Sequence, residues 1–401
     1  MDSHRRVVSG MRPTGELHLG HYHGVLKNWV KLQHEYDCFF FIADWHALTT
    51  DYEHSRGIRA SARHMLIDWL AAGVNPGSAS LFIQSQVPEV AELHLLLSMV
   101  TPAAWLERVP GYKEMQDRLH DHSQSTYGFL GYPLLQSADI LAFRAGLVPV
   151  GADQEPHVEI AREIARRFNY LYGRDDGFEA QAESAIKKLG KKNAALYRQL
   201  HTAYQTHGEA DALETARALV REQSTLTLAE QNRLMGYLEG IGKSILPEPR
   251  SLLTDTARMP GLDGEKMAKS GGNMILLREE PDNVMKKVRT MQTDPARIRL
   301  SDAGEPERCP VWQLHKLYSD EATCEQVQQQ CRSAGWGCLE CKQPVIDAII
   351  AEQAPIRERA RQFEDNPELL QRIVADGAER ARDEVRDTLT EVREAIGLLG
   401  I

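Results

Sequence analysis

The first 170 residues alternate short apolar runs with apolar positions at helical spacing, and this alternation restricts the fold more than any other feature. Val7-Val8, Cys38–Ala43, Leu81–Ile83 and Leu147–Val150 read as buried strands. Between them Tyr22, Leu26, Trp29 and Val30, then Ile58, Met65, Leu66, Trp69 and Leu70, follow helical spacing. Strand–helix–strand alternation predicts an α/β fold with a doubly wound parallel sheet, whose ligands sit at the carboxyl ends of the strands. Residues 174–247 change character: they are strand-poor and helical, carry a basic cluster at Lys187, Lys188, Lys191 and Lys192, and close at Pro247-Glu248-Pro249. That cluster reads as a solvated helix face. After about residue 280 the pattern is helical, with a helix start at Asn366-Pro367. The expected division is 1–173 for the first part of the sheet domain and 174–247 for a helical insertion. Residues 248–284 then return to the sheet domain, and 285–401 form an all-helical domain.

A length of 401 residues suits two or three domains. With 47 basic and 57 acidic residues the net charge is −10, so no global positive field gathers nucleic acid, and an RNA partner would need a local basic patch. The longest strongly apolar run, Cys38–Ala43, is far short of the ~18 residues needed to span a bilayer. No apolar stretch follows the charged start MDSHRRVVSG, which predicts a cytoplasmic protein without a membrane partner. Five of the six cysteines crowd between 309 and 341, a pattern that in a reducing compartment favours metal or cluster binding over disulfides.

Two segments carry chemistry. Pro13-Thr14-Gly15-Glu16-Leu17-His18-Leu19-Gly20-His21 follows the Val7-Val8 strand and opens a helix. It brings two imidazoles to a helix N-terminus, where unpaired N–H groups favour anions, and Gly20 would let a flat base approach the backbone. His23 is given no role. Gly264-Glu265-Lys266-Met267-Ala268-Lys269-Ser270, followed by Gly271-Gly272, places two lysines three apart on a glycine-flanked loop, suited to a polyphosphate whose charge shifts during reaction. Gly242-Lys243-Ser244 resembles the end of a Walker A loop but lacks the required upstream glycine, since position 237 is Tyr237. No Gly-x-Gly-x-x-Gly fingerprint is present.

The His-Leu-Gly-His and Lys-Met-Ala-Lys-Ser segments resemble the HIGH and KMSKS signatures of class I aminoacyl-tRNA synthetases, whose catalytic domain is Rossmann-like. Within the class the chain is similar to the tryptophanyl-tRNA synthetases. The resemblance rests on Ser9–Gly15, Ala43–Ala47, Tyr132–Leu141 and Val148–Gln154, which occur in that family's order. It departs at Ala268, where the family usually has serine, and at Arg12, where many members carry glutamine near the amino-acid carboxylate, although an arginine can bind a carboxylate. The resemblance implies a tryptophan–tRNA ligase that makes tryptophanyl-adenylate from ATP and then charges tRNA(Trp). His18, His21, Lys266 and Lys269 would act on the phosphates. Arg12, Thr14, Gly20, Gly151, Asp153 and Met267 would contact ATP. Val8, His46, Tyr132, Gln136, Asp139 and Gln154 would hold L-tryptophan. It further implies Mg2+ held mainly through phosphates and water, a homodimer formed through the catalytic domain, and anticodon contact by the helical C-terminal region.

Tyrosyl-tRNA synthetases share this core, and Tyr132, Gln136 and Asp139 also fit their Tyr-x3-Gln-x2-Asp pattern. An indole N–H only donates, so a lone carboxylate such as Asp139 suits it, and Val7-Val8 stands where tyrosine-specific enzymes usually place a tyrosine. Set between Ala138 and Ile140-Leu141, Asp139 reads as a half-buried acid that needs a partner. A tyrosyl-tRNA synthetase, a different nucleotidyltransferase and a non-charging paralogue that binds RNA or tryptophan remain the alternatives. Cys309, Cys331, Cys338 and Cys341 are spaced C-x21-C-x6-C-x2-C, and four thiolates can ligate either a [4Fe–4S] cluster or zinc. The stretch Met291–Cys341 resembles a subset of tryptophanyl-tRNA synthetases that carry the cluster, with the first spacing one residue shorter. That favours the cluster, in a structural role. Cys38 and Cys324 read as ordinary free cysteines.

Overall fold

The computed structural model describes residues 5–398 except 111, 113–125, 152–153, 175–176, 208, 241, 243, 254–258 and 269–271. Five strands are named in chain order: β1 Arg6–Met11, β2 Asp37–Ile42, β3 Ala79–Ile83, β4 Leu147–Val150 and β5 Arg250–Leu253. They form one all-parallel sheet in the order β3-β2-β1-β4-β5. The expected doubly wound sheet is present, with four strands where the apolar runs lie. The fifth, β5, was not legible because Arg-Ser-Leu-Leu is a half-exposed edge segment without a buried run.

Strand β2 shows why these runs read as continuous. Successive side chains alternate between faces, and both faces are covered. Cys38, Phe40 and Ile42 enter one core with Val7 and Leu81, whereas Phe39 and Phe41 enter the other with Val8 and Phe82. Trp29 lies flat on Phe40 with centroids 4.1 Å apart, and burying one such side chain contributes roughly 1.5–3 kcal/mol. Helices Lys27–Leu32, Ile58–Ala72 and Cys338–Glu364 cover the first face. Helices Glu89–Ser98, Tyr127–Ala142, Glu155–Tyr172 and Pro367–Ala395 cover the second. The region after 285 is mostly helical, as expected, and its two long helices bury their apolar stripes in the same cores as the sheet. Val345, Ile346 and Ile349 do so on one side; Val385, Leu389 and Val392 do so on the other. Gly377 passes so near β3 that a Cβ there would stand 1.9 Å from the Leu81 carbonyl oxygen. Asn366 caps the last helix by accepting the Leu369 N–H.

Helices Phe178–Lys188, Gly190–His207, Ala210–Arg221 and Leu228–Leu238 fill the stretch 174–247 and close on a core of their own around Ile186, Tyr197, Val220 and Leu234. Lys188 pairs with Glu230 at 2.6 Å on an exposed surface. The two ends of this bundle touch: a Cβ at Gly242 would fall 2.0 Å from the Gly173 carbonyl oxygen, and Arg174 donates to the Gly240 carbonyl at 2.9 Å. Replacing the bundle by a short Gly/Ser linker should therefore keep adenylate formation within about tenfold, or ~1.4 kcal/mol. Amino-acid-dependent ATP–pyrophosphate exchange measures this; its collapse in a folded deletion variant would mean that the bundle supports the active site.

Candidate active site

A cavity of about 540 Å3 opens at the carboxyl ends of β1 and β4. The strand order reverses there, because β2 and β3 lie on one side of β1 and β4 and β5 on the other. Strands β1 and β4 are paired at Val7 with Leu147. Val8, Gly10, Val148 and Val150 line the cavity at their carboxyl ends. A Cβ on Gly10 would fall 2.4 Å from the Phe41 ring, so only glycine lets that ring form the wall.

All six residues expected to hold the amino acid, Val8, His46, Tyr132, Gln136, Asp139 and Gln154, line this one cavity, with Arg12, His21 and Gly151. Tyr132, Gln136 and Asp139 stand four and three residues apart, hence on one face of the helix Tyr127–Ala142. Asp139 is fully buried, at 2% exposure, not half-buried. It has two partners: His46 Nε2 lies 2.8 Å from Oδ2, and Gln84 Nε2 donates to both carboxylate oxygens at 2.7 and 2.9 Å. Burial pushes the Asp139 carboxyl up, against the hydrogen bonds and charge of His46 and the hydrogen bond of Gln84. Tyr132 Oη lies 3.2 Å from His157 Nε2. Arg12 donates from Nη2 to Thr50 Oγ1; burial lowers its guanidinium, with Asp51 nearby opposing. Gln84 and His157 went unread in the sequence. Gln84 directly follows β3 at the carboxyl edge, where the sheet rule points, but no spacing marks it.

The two motif segments meet through main chain. Leu19 N–H donates to the Ile275 carbonyl at 3.0 Å and Leu277 N–H to that of Leu17 at 2.9 Å, with His18 bridged to Leu276. The residues just after the lysine loop thus form a short antiparallel pair with the histidine segment. His18 Nδ1 accepts the Gly20 N–H at 3.1 Å and His21 Nδ1 accepts the His18 N–H at 3.3 Å, with the rings 3.9 Å apart. In the neutral rings the proton then resides on Nε2, a donor suited to phosphate oxygen. A Cβ on Gly20 would stand 2.9 Å from the His18 ring, so a side chain there would meet that imidazole. Thr14 is exposed in a turn whose N–H donates to the Arg12 carbonyl at 2.9 Å.

Lys266 is exposed on a hairpin, bridged to Pro260. Met267 turns the other way: its side chain is buried in the first core, so it offers a nucleotide no side-chain contact. Asn273, also unread in the sequence, pins the loop. Its Oδ1 accepts the Ala268 N–H at 2.9 Å, and its Nδ2 donates to Asp263 at 2.7 Å and to the Lys266 carbonyl at 3.3 Å. Asp68, 2% exposed, accepts from the Leu17 N–H and from Arg278, and burial raises its carboxyl to about 6. Asp153, Lys269 and Lys243 lie outside the described residues.

Away from the cavity, Cys309 precedes the helix Pro310–Tyr318, Cys331 ends Glu321–Arg332, and Cys338 and Cys341 open Cys338–Glu364. All four thiols are partly buried and none is in a disulfide. Burial, then the proximity of the other three thiols, pushes Cys341 up to about 12. His315 Nε2 lies 3.0 Å from the Cys341 carbonyl oxygen. Among the described residues no three His, Cys, Asp or Glu side chains stand close enough to hold one metal ion.

The family profile described as tRNA synthetases class I (W and Y) matches residues 2–193 and 219–352. A tryptophan–tRNA ligase from Ralstonia nicotianae is 65% identical over 393 residues, 98% of either chain. The chain belongs to the class I tryptophanyl-tRNA synthetases. A tryptophan–tRNA ligase from Thermotoga maritima is 37% identical, over 98% of this chain and 99% of that protein. A solved tryptophanyl-tRNA synthetase from Campylobacter jejuni, described as complexed with ADP and tryptophan, is 27% identical with a TM-score of 0.72. It spans 98% of this chain and 100% of its own. No described helix is long and apolar enough to cross a membrane.

Asp139, expected to accept from the substrate ring, is buried, with His46 and Gln84 fixing its orientation. Asp139→Asn keeps the size but replaces an anionic acceptor by an amide, and should cost about 1.5–3 kcal/mol in kcat/KM for tryptophan. Exchange kinetics at varied tryptophan measure it. An unchanged value, or a wild type that prefers tyrosine, would refute the assignment.

Proposed function

We infer that the chain is an ATP-dependent tryptophan–tRNA ligase that works in two steps. The tryptophan carboxylate attacks the α-phosphorus of ATP, which gives tryptophanyl-adenylate and releases pyrophosphate. A ribose hydroxyl at the tRNA terminus then takes the acyl group and releases AMP. The observation that carries this reading is the single cavity at the strand reversal that gathers Val8, His46, Tyr132, Gln136, Asp139 and Gln154 beside Arg12 and His21.

No protein nucleophile is needed; the rate comes from alignment and charge stabilisation. Asp139 accepts the indole N–H, and Tyr132 and Gln154 hold the α-amino group. Arg12 lies on the nucleotide side of the cavity, where its guanidinium meets carboxylate or phosphate oxygen. His18 and His21 donate from Nε2 to ATP phosphates. Lys266 and Lys269 stabilise the transition state and the leaving pyrophosphate, and Asp153 holds the ribose beside Gly151. Mg2+ would be held through phosphate oxygens and water. A homodimer through the sheet domain has support in Leu95, Met99 and Tyr127, exposed on two helices that pack together.

Cys309, Cys331, Cys338 and Cys341 fit a structural [4Fe–4S] cluster. The donor set is all thiol, and Cys309, Cys331 and Cys338 each act electrostatically on Cys341. Bound there, the cluster would cross-link three helix ends of the C-terminal region, the part proposed to contact the anticodon. Zinc is the alternative.

Tryptophan-dependent ATP–pyrophosphate exchange, followed by charging of tRNA(Trp), should be robust; exchange without charging would leave only a paralogue that activates tryptophan. Protein purified without oxygen should be brown, with about four irons per chain. Cys338→Ser should remove the colour and weaken charging more than exchange. One zinc in colourless protein would reject the cluster but keep the site, and no metal would reject both.

A further inference from the structure

His23, two residues beyond His21, has no place in the cavity, yet it is among the most connected side chains of its segment. Residues Tyr22–Leu26 form a π-helical turn directly after His21. Such turns are rare, and they recur at functional sites. His23 Nε2 lies 2.9 Å from Glu352 Oε2 and 3.0 Å from Tyr318 Oη. Glu352 also accepts from the Tyr318 hydroxyl at 2.8 Å and from Lys27 Nζ at 2.7 Å. Burial opposes ionisation of Glu352, but hydrogen bonds from His23 and Lys27 outweigh it and hold the carboxyl near 2. One carboxylate on the helix Cys338–Glu364 thus collects three donors from two other helical segments.

The next residue makes a second contact with the same machinery. Gln353, fully buried, donates to the Leu276 carbonyl at 2.8 Å, and Leu276 is the bridge partner of His18. Neighbouring side chains of one C-terminal helix therefore grip the histidine segment from its own helix and from the strand paired with it. At their other ends, the helices bearing Glu352 and Tyr318 begin at Cys338 and Cys309.

We propose that Glu352, Tyr318 and His23 form a latch by which the C-terminal helices set the position of His18 and His21, so that the state of that region controls ATP use. The latch acts through the imidazoles and touches no substrate; Glu352 and Tyr318 are positioning residues. It rests on the reading of His18 and His21 as ATP-phosphate ligands. A half-buried carboxylate that accepts from three donors holds their segments in one arrangement, and losing a donor leaves that carboxylate under-satisfied.

The test uses the full chain and four variants: Tyr318→Phe, which removes only a hydroxyl, Glu352→Gln, His23→Ala, and the double variant of the last two. Exchange kinetics give separate KM values for ATP and tryptophan, and thermal melting reports folding. The latch predicts an ATP KM raised about five- to tenfold with the tryptophan KM within about twofold. It also predicts a double variant no worse than its worse parent, as two parts of one device require. Unchanged ATP KM in folded variants, equal loss for both substrates in step with melting temperature, or additive single effects would each overturn it. Failure of the wild type to exchange would refute the ligase reading instead, and calorimetric ATP affinity of the same variants would then decide the latch.

Discussion

The main-chain pairing of Leu17–Leu19 with Ile275–Leu277 is the contact on which the reactive arrangement depends. It brings together two segments that lie more than 250 residues apart and contribute the histidines and the lysine hairpin. Closing so long a loop is entropically costly, although the cost grows only slowly with length. The surroundings offset it by satisfying both sides at once. Asp68 accepts from Leu17 and Arg278, Gln353 satisfies the Leu276 carbonyl, and Leu17, Leu19, Ile275 and Leu277 are buried in the same core. Without this pairing, the two motifs would be separate loops on a common sheet.

The cavity depends on a second constraint, the reversal of strand order between β1 and β4. In a doubly wound sheet the crevice at such a reversal is where ligands bind. Phe41 occupies the space that Gly10 leaves, and the helix Tyr127–Ala142 presents Tyr132, Gln136 and Asp139 from above. A buried carboxylate is expensive unless its oxygens are satisfied. His46 and Gln84 meet that requirement and fix Asp139.

The C-terminal region acts as part of the sheet domain's packing as well as a helical appendage. Helix Cys338–Glu364 covers one face and Pro367–Ala395 the other, while Arg6 at the start of β1 reaches Glu384 at 2.7 Å. In the proposed latch, a disturbance at the cysteine-bearing helix ends would pass along these helices to the histidine segment they touch. The bundle 178–238 differs: it has its own core and joins the rest through adjacent chain ends.

Local pattern alone determined much of this. Four of the five strands, the helix start at Asn366, the two motif segments and six residues that line the cavity could be read from the sequence, because burial on both faces, capping and motif spacing are short-range properties. Only the tertiary structure could supply Gln84 against Asp139, His157 against Tyr132, Asn273 behind the lysine hairpin and Glu352 against His23, for each is a lone polar residue whose role lies in a partner distant in the chain. It also turned Met267 inward. Sequence spacing records which residue types a segment presents; which side chain satisfies a buried charge is decided when separate segments pack, because only then does water leave and the unsatisfied group need a partner.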